Sequence, residues 1–447
     1  MASRARTPRP ALIDAFADFV HSEVASSVVL LVCAIVALGW ANSPWASVYY
    51  ELLHTKISLA FGTNSFSLSL HHWINDALMV VFFFVVGLEI KRELVVGHLS
   101  SVKQAMLPVV AAAGGMLLPA GIYAMLNYGQ PGAHGWGIPT ATDIAFALGV
   151  LALLGDRVPI GLKVYLTAVA IADDIGAVLI IAIFYTDQIA WTGLLVAAVF
   201  LALLFIAIGP LRWRTPGMLA LLVTGVWLGV FASGIHSTIA GILIAFLVPV
   251  RARIDPDEFM NVARNRLEFL KDKKLSRESM IGDGDQLSSI EELYDVVADL
   301  RPPSLSLEQY FHPISAFVVL PLFALANAGV TLGGDTWALA TSPVAWGIML
   351  GLFFGKQLGV SLFSWLVIRT GGAALPEGVR WGQIYGASCL AGVGFTMALF
   401  VSDLAFDDEQ LINAAKLGIL GASLISAAVG YVVLHFVLPP RQRPPAE

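Results

Sequence analysis

Residues 162–184 read LKVYLTAVAIADDIGAVLIIAIF, an apolar run with two adjacent carboxylates, Asp173 and Asp174, at its centre. About 20 apolar residues suffice for a helix to cross roughly 30 Å of hydrocarbon, so this run is long enough to span a bilayer. An ionised side chain at mid-span costs about 2.5–3.5 kcal/mol on insertion scales, and each one needs a partner, a cavity or a function. Neighbouring carboxylates held away from water cannot both stay ionised cheaply, so the pair titrates as a coupled unit. Either a proton or a hard cation relieves the strain, and an alkali ion finds the oxygen ligands it prefers in carboxylates, hydroxyls and backbone carbonyls. Protons and such a cation then compete for one site.

Working outward, runs of the same kind recur near 22–40, 72–90, 105–126, 137–154, 191–209, 217–232, 236–250, 313–330, 344–368, 382–401 and 411–437, with the short pair over 217–250 open to tilting, breaking or merging at Gly234, so the expectation is an all-α polytopic membrane protein with about 12 transmembrane helices. The chain is 57% hydrophobic and 13% charged, whereas soluble domains carry about 25% charged residues, which excludes an ordinary soluble fold. The net charge of -6 averages over membrane and loops and gives no support to a nucleic-acid partner. Cys33 and Cys389 both lie inside apolar runs, which leaves no disulfide framework and points to ordinary packing. The first run is longer than a cleaved signal's apolar core and reads as a retained helix.

Short cytoplasmic loops are enriched in Lys and Arg. Arg4, Arg6, Arg9, Lys91, Arg92, Lys103, Arg157, Lys163, Arg212, Arg214, Arg369, Arg380, Arg441 and Arg443 all fall on one side of a twelve-span topology, against Lys56 and Lys416 on the other. Both termini are therefore expected in the cytoplasm. The organisation reads as a cytoplasmic tail at 1–21, helices 1–8 over 22–250, a polar cytoplasmic insertion at 251–306, helices 9–12 over 307–437 and a tail at 438–447. Within 41–71, a periplasmic segment, Phe66-Ser67-Leu68-Ser69-Leu70 alternates like a half-buried strand and Gly62-Thr63-Asn64 can turn, so a small β-hairpin is expected. The insertion, with mixed charges and ending in Arg301-Pro302-Pro303, is expected to be partly helical and partly disordered.

Two more charges sit where lipid should be: Asp143, in Ala141-Thr142-Asp143-Ile144, and Lys356, in Phe353-Phe354-Gly355-Lys356-Gln357. Adjacent residues on a helix point about 100° apart. Asp174 shares a face with the small residues Thr167, Ala170 and Ala177, while Asp173 points elsewhere, where Lys356 can pair with it. Helix-weakening residues stand beside these charges, namely Gly135, Gly137 and Pro139 ahead of Asp143, and Gly386, Gly392 and Gly394 in the run 382–401. The groups 105–184 and 344–437 each hold three spans with the interrupted one in the middle and run in opposite orientations, the pattern of inverted repeats. Interrupted helices meeting at the midplane expose half-helix ends, positive at N-termini and negative at C-termini, and Asp143 and Lys356 have the signs to offset them.

Seven ordered motifs carry a family resemblance: Ala141 to Gly149, Ala172-Asp173-Asp174-Ile175-Gly176, Gly87-Leu88-Glu89-Ile90-Lys91-Arg92-Glu93-Leu94, Ser233-Gly234-Ile235-His236, Pro321 to Val330, Gly355-Lys356 and Gly394-Phe395-Thr396-Met397. Together they resemble NhaA-type sodium/proton antiporters over nearly the whole chain. The resemblance implies an NhaA-like fold with two crossed discontinuous helices, Gly392 and Gly394 in the second, and electrogenic, pH-regulated exchange of sodium or lithium for protons across the bacterial inner membrane, a transporter rather than an enzyme. It implies no cofactor, only transported ions. Carried over by motif, Asp173 and Asp174 hold the ion and protons, Thr142 and Asp143 line or support the site, Lys356 balances charge, and Glu89, Arg92, Glu93 and Glu308 answer to pH. It also raises a homodimer through 41–71. The generalisation that paired interrupted helices mark a transporter's binding site was drawn in part from this family, so it adds no independent support. One departure stands out: Ser304 to Leu307 replace the basic residues the family places ahead of that glutamate, and part of the pH-responsive cluster is missing here.

Three other features carry less. Gly282-Asp283-Gly284-Asp285 has the G-x-G-D form of intramembrane aspartyl proteases but falls in the polar insertion, where a catalytic Asp would stand in water. His236 reads first as a packed, hydrogen-bonded histidine, and the aromatic runs at Phe82–Phe84 and Phe353–Phe354 as lipid-facing or packing residues. A cation channel would present rings of polar residues in place of one midplane cluster.

Overall fold

The computed structural model describes residues 23–61, 64–186, 188–211, 215–273, 284–333 and 336–439. The basic tail residues Arg4, Arg6, Arg9, Arg441 and Arg443, the loop residues Arg212 and Arg214, and the turn residues Gly62 and Thr63 lie outside them. In chain order come α1 (Glu23–Ala41), α2 (Ala46–His54), the strands β1 (Lys56–Phe61) and β2 (Asn64–Ser69), α3 (Leu70–Val95) and α4 (Val102–Asn127). A 3₁₀ helix, Pro131–Thr140, precedes α5 (Ile144–Ala152), followed by α6 (Ile160–Phe184), α7 (Trp191–Ile208), α8 (Pro216–Ala232) and α9 (Ile239–Leu247). After α10 (Pro256–Asp272) and α11 (Gly284–Leu300) come α12 (Pro303–Asn327), α13 (Pro343–Arg369), α14 (Trp381–Leu390), α15 (Phe395–Ala405) and α16 (Glu409–Val437).

Among the described residues eight helices are long and apolar enough to cross a membrane, and two bent pairs, Pro131–Thr140 with α5 and α14 with α15, raise the number to 10. Each pair bends by 45° at its break. Of the remaining two expected spans, 217–232 is the 17-residue helix α8, while the other is shorter than the sequence pattern predicts. The run 236–250 is a helix of nine residues only, about 14 Å of rise and half a bilayer. Its upstream turn explains why: Gly234 takes φ +81°, and a Cβ there would stand 2.2 Å from the Gln188 carbonyl, so α8 stops where only glycine fits.

The surface is apolar where lipid belongs. On α1, Leu31, Val32 and Ile35 point outward, and on α7 so do Leu195, Val199 and Phe205, while charged groups such as Asp173 and Lys356 lie inside. The interior is made by close helix contact. At the crossing of α4 and α13, a Cβ on Gly359 would stand 2.1 Å from the Gly114 carbonyl oxygen and one on Gly355 2.8 Å from Pro119, so the two backbones touch. Small residues allow such approach, and dispersion and tight packing hold it where lipid supplies no hydrophobic drive. The same crossing aims Lys356, one turn before Gly359, into the middle of the bundle. Three stretches widen to π-helix, Trp73–Leu78 in α3, Ser315–Val319 in α12 and Gly351–Gly355 just ahead of Lys356. Such widened turns recur at functional positions.

Outside the bundle, β1 and β2 pair antiparallel from Lys56 opposite Ser69 to Phe61 opposite Asn64, at the end of the bundle where α3 begins. The polar stretch 251–306 holds an antiparallel helical hairpin, with Arg266 of α10 2.6 Å from Glu292 of α11, and residues 274–283 fall outside the described set. Arg253 at its base donates to the Ile208 carbonyl at 3.1 Å, which caps the C-terminus of α7. Arg157 donates to the His435 carbonyl at 2.7 Å and the Pro439 carbonyl at 2.8 Å, tying the α5–α6 turn to the C-terminus of α16.

Candidate functional site

The two breaks cross each other in the interior. Thr140 ends the 3₁₀ helix, Ala141 and Thr142 are extended, and Asp143 caps α5; opposite them, Ala391 to Gly394 separate α14 from α15. The strands of unwound backbone bind directly, with the Asp143 N–H donating to the Val393 carbonyl at 2.7 Å and the Thr142 hydroxyl to the Ala391 carbonyl at 2.9 Å. Backbone that leaves a helix inside a bilayer must find such partners, because lipid supplies none.

Glycine serves the second break by size and not by backbone freedom. Gly394 has φ -96°, open to any residue, but a Cβ there would meet Leu352 Cδ2 at 2.8 Å, and one on Gly392 the Leu352 carbonyl oxygen at 2.5 Å. Both positions sit where α13 and the first break press against the second.

One carboxylate holds two helix N-termini. Asp143 Oδ1 accepts the Phe146 N–H of α5 at 2.9 Å, and Oδ2 accepts the N–H and the hydroxyl of Thr396, at the start of α15, at 3.0 and 2.5 Å. Ser423 of α16 adds a further cap, its hydroxyl oxygen accepting the Phe395 N–H at 3.1 Å. Two helix dipoles thus converge on one negative charge. The opposite sign is met at the other end of the first break, where Lys356 Nζ donates to the Thr140 carbonyl at 2.5 Å, at the C-terminus of the 3₁₀ helix.

Lys356 also donates to Asp173 Oδ2 at 2.5 Å, an ion pair whose side chains are each 1% exposed. Asp173 Oδ1 is buried and has no hydrogen-bond partner among the described residues. Asp174, one residue on, is 6% exposed, and among the described residues no hydrogen bond or ion pair reaches it. The charges around it are those of Asp173, Glu89, Asp143 and Lys356. Asp173 and Asp174 therefore differ: one is paired with an ammonium, and the other has no such partner among the described residues. Among the described residues no group of three or more His, Cys, Asp or Glu has metal-holding geometry. The Asp173 oxygen without a hydrogen bond, the Asp174 carboxylate and the hydroxyl and carbonyl oxygens near them are hard oxygen donors of the kind an alkali ion prefers.

The remaining sequence-flagged groups form a second cluster beside the first. Arg92 Nε lies 3.2 Å from Glu308 Oε2 of α12, and Arg92 Nη1 3.2 Å from Glu93 Oε1. Glu93 Oε2 accepts the His98 N–H at 2.8 Å. Glu89, one turn earlier on α3, lies within electrostatic reach of Glu308, Arg92 and Glu93 and also of Asp174. His236 is packed and hydrogen-bonded, with Nδ1 2.8 Å from the Thr238 hydroxyl, Nε2 3.5 Å from Asp76 and its ring edge-on to Phe400. Phe82 and Phe83 are buried, whereas Phe354 is 48% exposed, so the aromatic runs divide between packing and the outer surface.

Several functional partners carry no sequence signal. The carbonyls of Thr140, Ala391 and Val393 belong to no residue type, and Thr396 and Ser423 are ordinary residues in apolar runs. Asp76 and Asp403 are detectable as charges near span ends, but nothing in their spacing reveals which helix each one meets.

The family model described as Na+/H+ antiporter 1 matches residues 17–434. Among curated relatives, the Na(+)/H(+) antiporter NhaA of Oleidesulfovibrio alaskensis is 44% identical over 436 residues, which is 97% of this chain and 96% of that one. The protein of the same name from Wolinella succinogenes is 44% identical over 93% of this chain and 91% of its own. Na(+)/H(+) antiporter NhaA 2 of Sorangium cellulosum is 45% identical over 95% and 90%.

Proposed function

This chain belongs to the Na+/H+ antiporter 1 family, and we propose that it exchanges sodium or lithium for protons by letting them compete for the Asp173–Asp174 pair. It is a multi-pass membrane transporter, not an enzyme, and its substrates are ions. The reading is carried by one observation: two adjacent buried carboxylates at the crossing of two broken helices, one paired with Lys356 and the other with no partner among the described residues.

Two carboxyl groups that surrender two protons for one monovalent cation move net charge in each cycle, so the exchange is electrogenic. With both protons bound the carboxyl pair is neutral and the Lys356–Asp173 ion pair is open; with sodium bound, the two carboxylates are balanced by the sodium and the Lys356 ammonium. A cation bound between fixed oxygens leaves when the site opens to the other face and protons replace it. The cluster of Glu89, Arg92, Glu93 and Glu308 reaches the pair through Glu89 and is the proposed route by which pH sets the rate. The end of the bundle where Arg92, Arg157, Arg369 and Arg380 gather is placed in the cytoplasm of a bacterial cell, with the β-hairpin on the periplasmic side of the inner membrane, where it offers a surface to a second copy.

The test is direct. In proteoliposomes, Asp174→Asn should abolish the collapse of a pH gradient on adding sodium or lithium while the protein still inserts and elutes as a folded species. Retained exchange in that variant removes the central assignment.

A further inference from the structure

The helix that carries Thr396 is gripped at both ends. At its start Thr396 holds Asp143. Near its other end, Asp403 Oδ2 accepts from Asn75 Nδ2 at 3.0 Å and lies 3.8 Å from His71 Nε2. Asn75 and Asn327 pair amide to amide, the Asn327 amide donating to Asn75 Oδ1 at 2.8 Å and the Asn75 amide to Asn327 Oδ1 at 3.3 Å. His71 Nε2 stands 2.8 Å from the same Asn327 oxygen. Lys416 of α16 and His72 are the further charged groups that face His71.

This polar knot joins α15 to α3 and α12 at the end of the bundle that carries the β-hairpin. The site described above does not use it, and its geometry is unusual for a merely structural contact. Asn75 sits in the π-helical stretch of α3, whose wider turn is retained at a cost in hydrogen-bond geometry. Asn327 is the last residue of α12, fully buried, and its amide also donates to the Phe323 carbonyl at 3.0 Å. Buried amides satisfied this completely resist separation unless water or another partner replaces each bond.

The helices on either side of the knot share only part of their surroundings. α15 packs on the 3₁₀ helix, α16 and the last part of α12; α3 packs on α9, on α6 and along α12, and its Phe83 ring meets Phe400 of α15. A site that faces first one side of the membrane and then the other must move its broken helices against their neighbours, and α15 cannot shift along α3 while Asp403 holds Asn75.

We propose that the Asn75–Asp403 contact is a tie that opens and re-forms in each exchange cycle, which makes Asn75 and Asp403 positioning residues that act on Asp143 through α15 and Thr396. The proposal rests on the exchange function inferred above. It is tested in full-length protein in proteoliposomes, in a background of Cys33→Ser and Cys389→Ser, with Asn75→Cys and Asp403→Cys added together. Sodium-driven proton movement is measured before bridging the two thiols with a short, reducible bifunctional methanethiosulfonate, with the bridge in place, and after reduction. Exchange should be present but slower than in the two-serine background, then lost, then restored to that slower rate. Undiminished exchange across an intact bridge overturns the tie. No exchange in the two-serine background would instead remove the transport reading on which the tie depends, a separate and recognisable result. If the paired thiols stop exchange on their own, Asp403→Cys alone is labelled with a membrane-impermeant thiol reagent from the β-hairpin side. Labelling should quicken when sodium is added under a pH gradient, and a rate indifferent to sodium overturns the tie as well.

Discussion

The two breaks bend by the same 45° yet are held by different chemistry. The first, at Ala141 to Asp143, supplies its own charge at one end and receives Lys356 at the other. The second, at Ala391 to Gly394, has no charge: it relies on glycines that leave room for α13, on the Thr142 and Ser423 hydroxyls, and on a carboxylate borrowed from the first. Matching geometry with unmatched chemistry means that the crossing depends on a few side chains of the first break and its neighbours. Charge placed once, at the point where two helix N-termini meet, serves both helices, and the cost of burying a second carboxylate there is avoided.

That asymmetry sets an order of sensitivity. Lys356→Ala should do the most damage, about 3–5 kcal/mol, because it leaves Asp173 buried without its partner and the Thr140 carbonyl without its donor. Melting of the purified protein in detergent measures this, and Asp173→Asn in the same molecule should recover part of the loss; additive losses would show that the two groups are not coupled. Asp143→Ala should follow at roughly 2 kcal/mol, about one for each helix end it caps. If it costs no more than a single cap, α15 does not depend on the first break. Ser423→Ala removes one cap from α15 alone and should cost about 1 kcal/mol, with sodium affinity unchanged. A larger effect there than at Asp143 would reverse the proposed dependence.

The same contrast explains what could be read from the residues. Asp143, Asp173, Asp174 and Lys356 stand out because a charge in an apolar run is costly wherever the run is placed, and Gly392 and Gly394 because of their placement, in the middle span of a group that corresponds to the one holding Asp143. The alternation at Phe66 to Leu70 is enough to locate a strand of the hairpin. What stays hidden is pairing. That Asp143 binds Thr396 across 253 residues follows from how the helices cross, not from either residue's type. The knot of His71, Asn75, Asn327 and Asp403 escapes notice for a related reason: neutral amides are cheap enough in apolar runs to pass as ordinary, and Asp403 lies just past the expected end of its span. The short pair over 217–250 is legible as a place for a break at Gly234, and the structure has a turn with positive φ there, ahead of a helix of nine residues.

Competition at one site is the claim on which the rest depends, and initial rates of sodium-driven proton movement across a pH series test it most directly. Protons added to the carboxylates leave fewer oxygens free for the cation, so the apparent KM for sodium should rise as pH falls, steepening toward about tenfold per pH unit for each proton displaced. A KM that stays constant over the same pH range, with activity retained, would mean that protons and sodium use different sites.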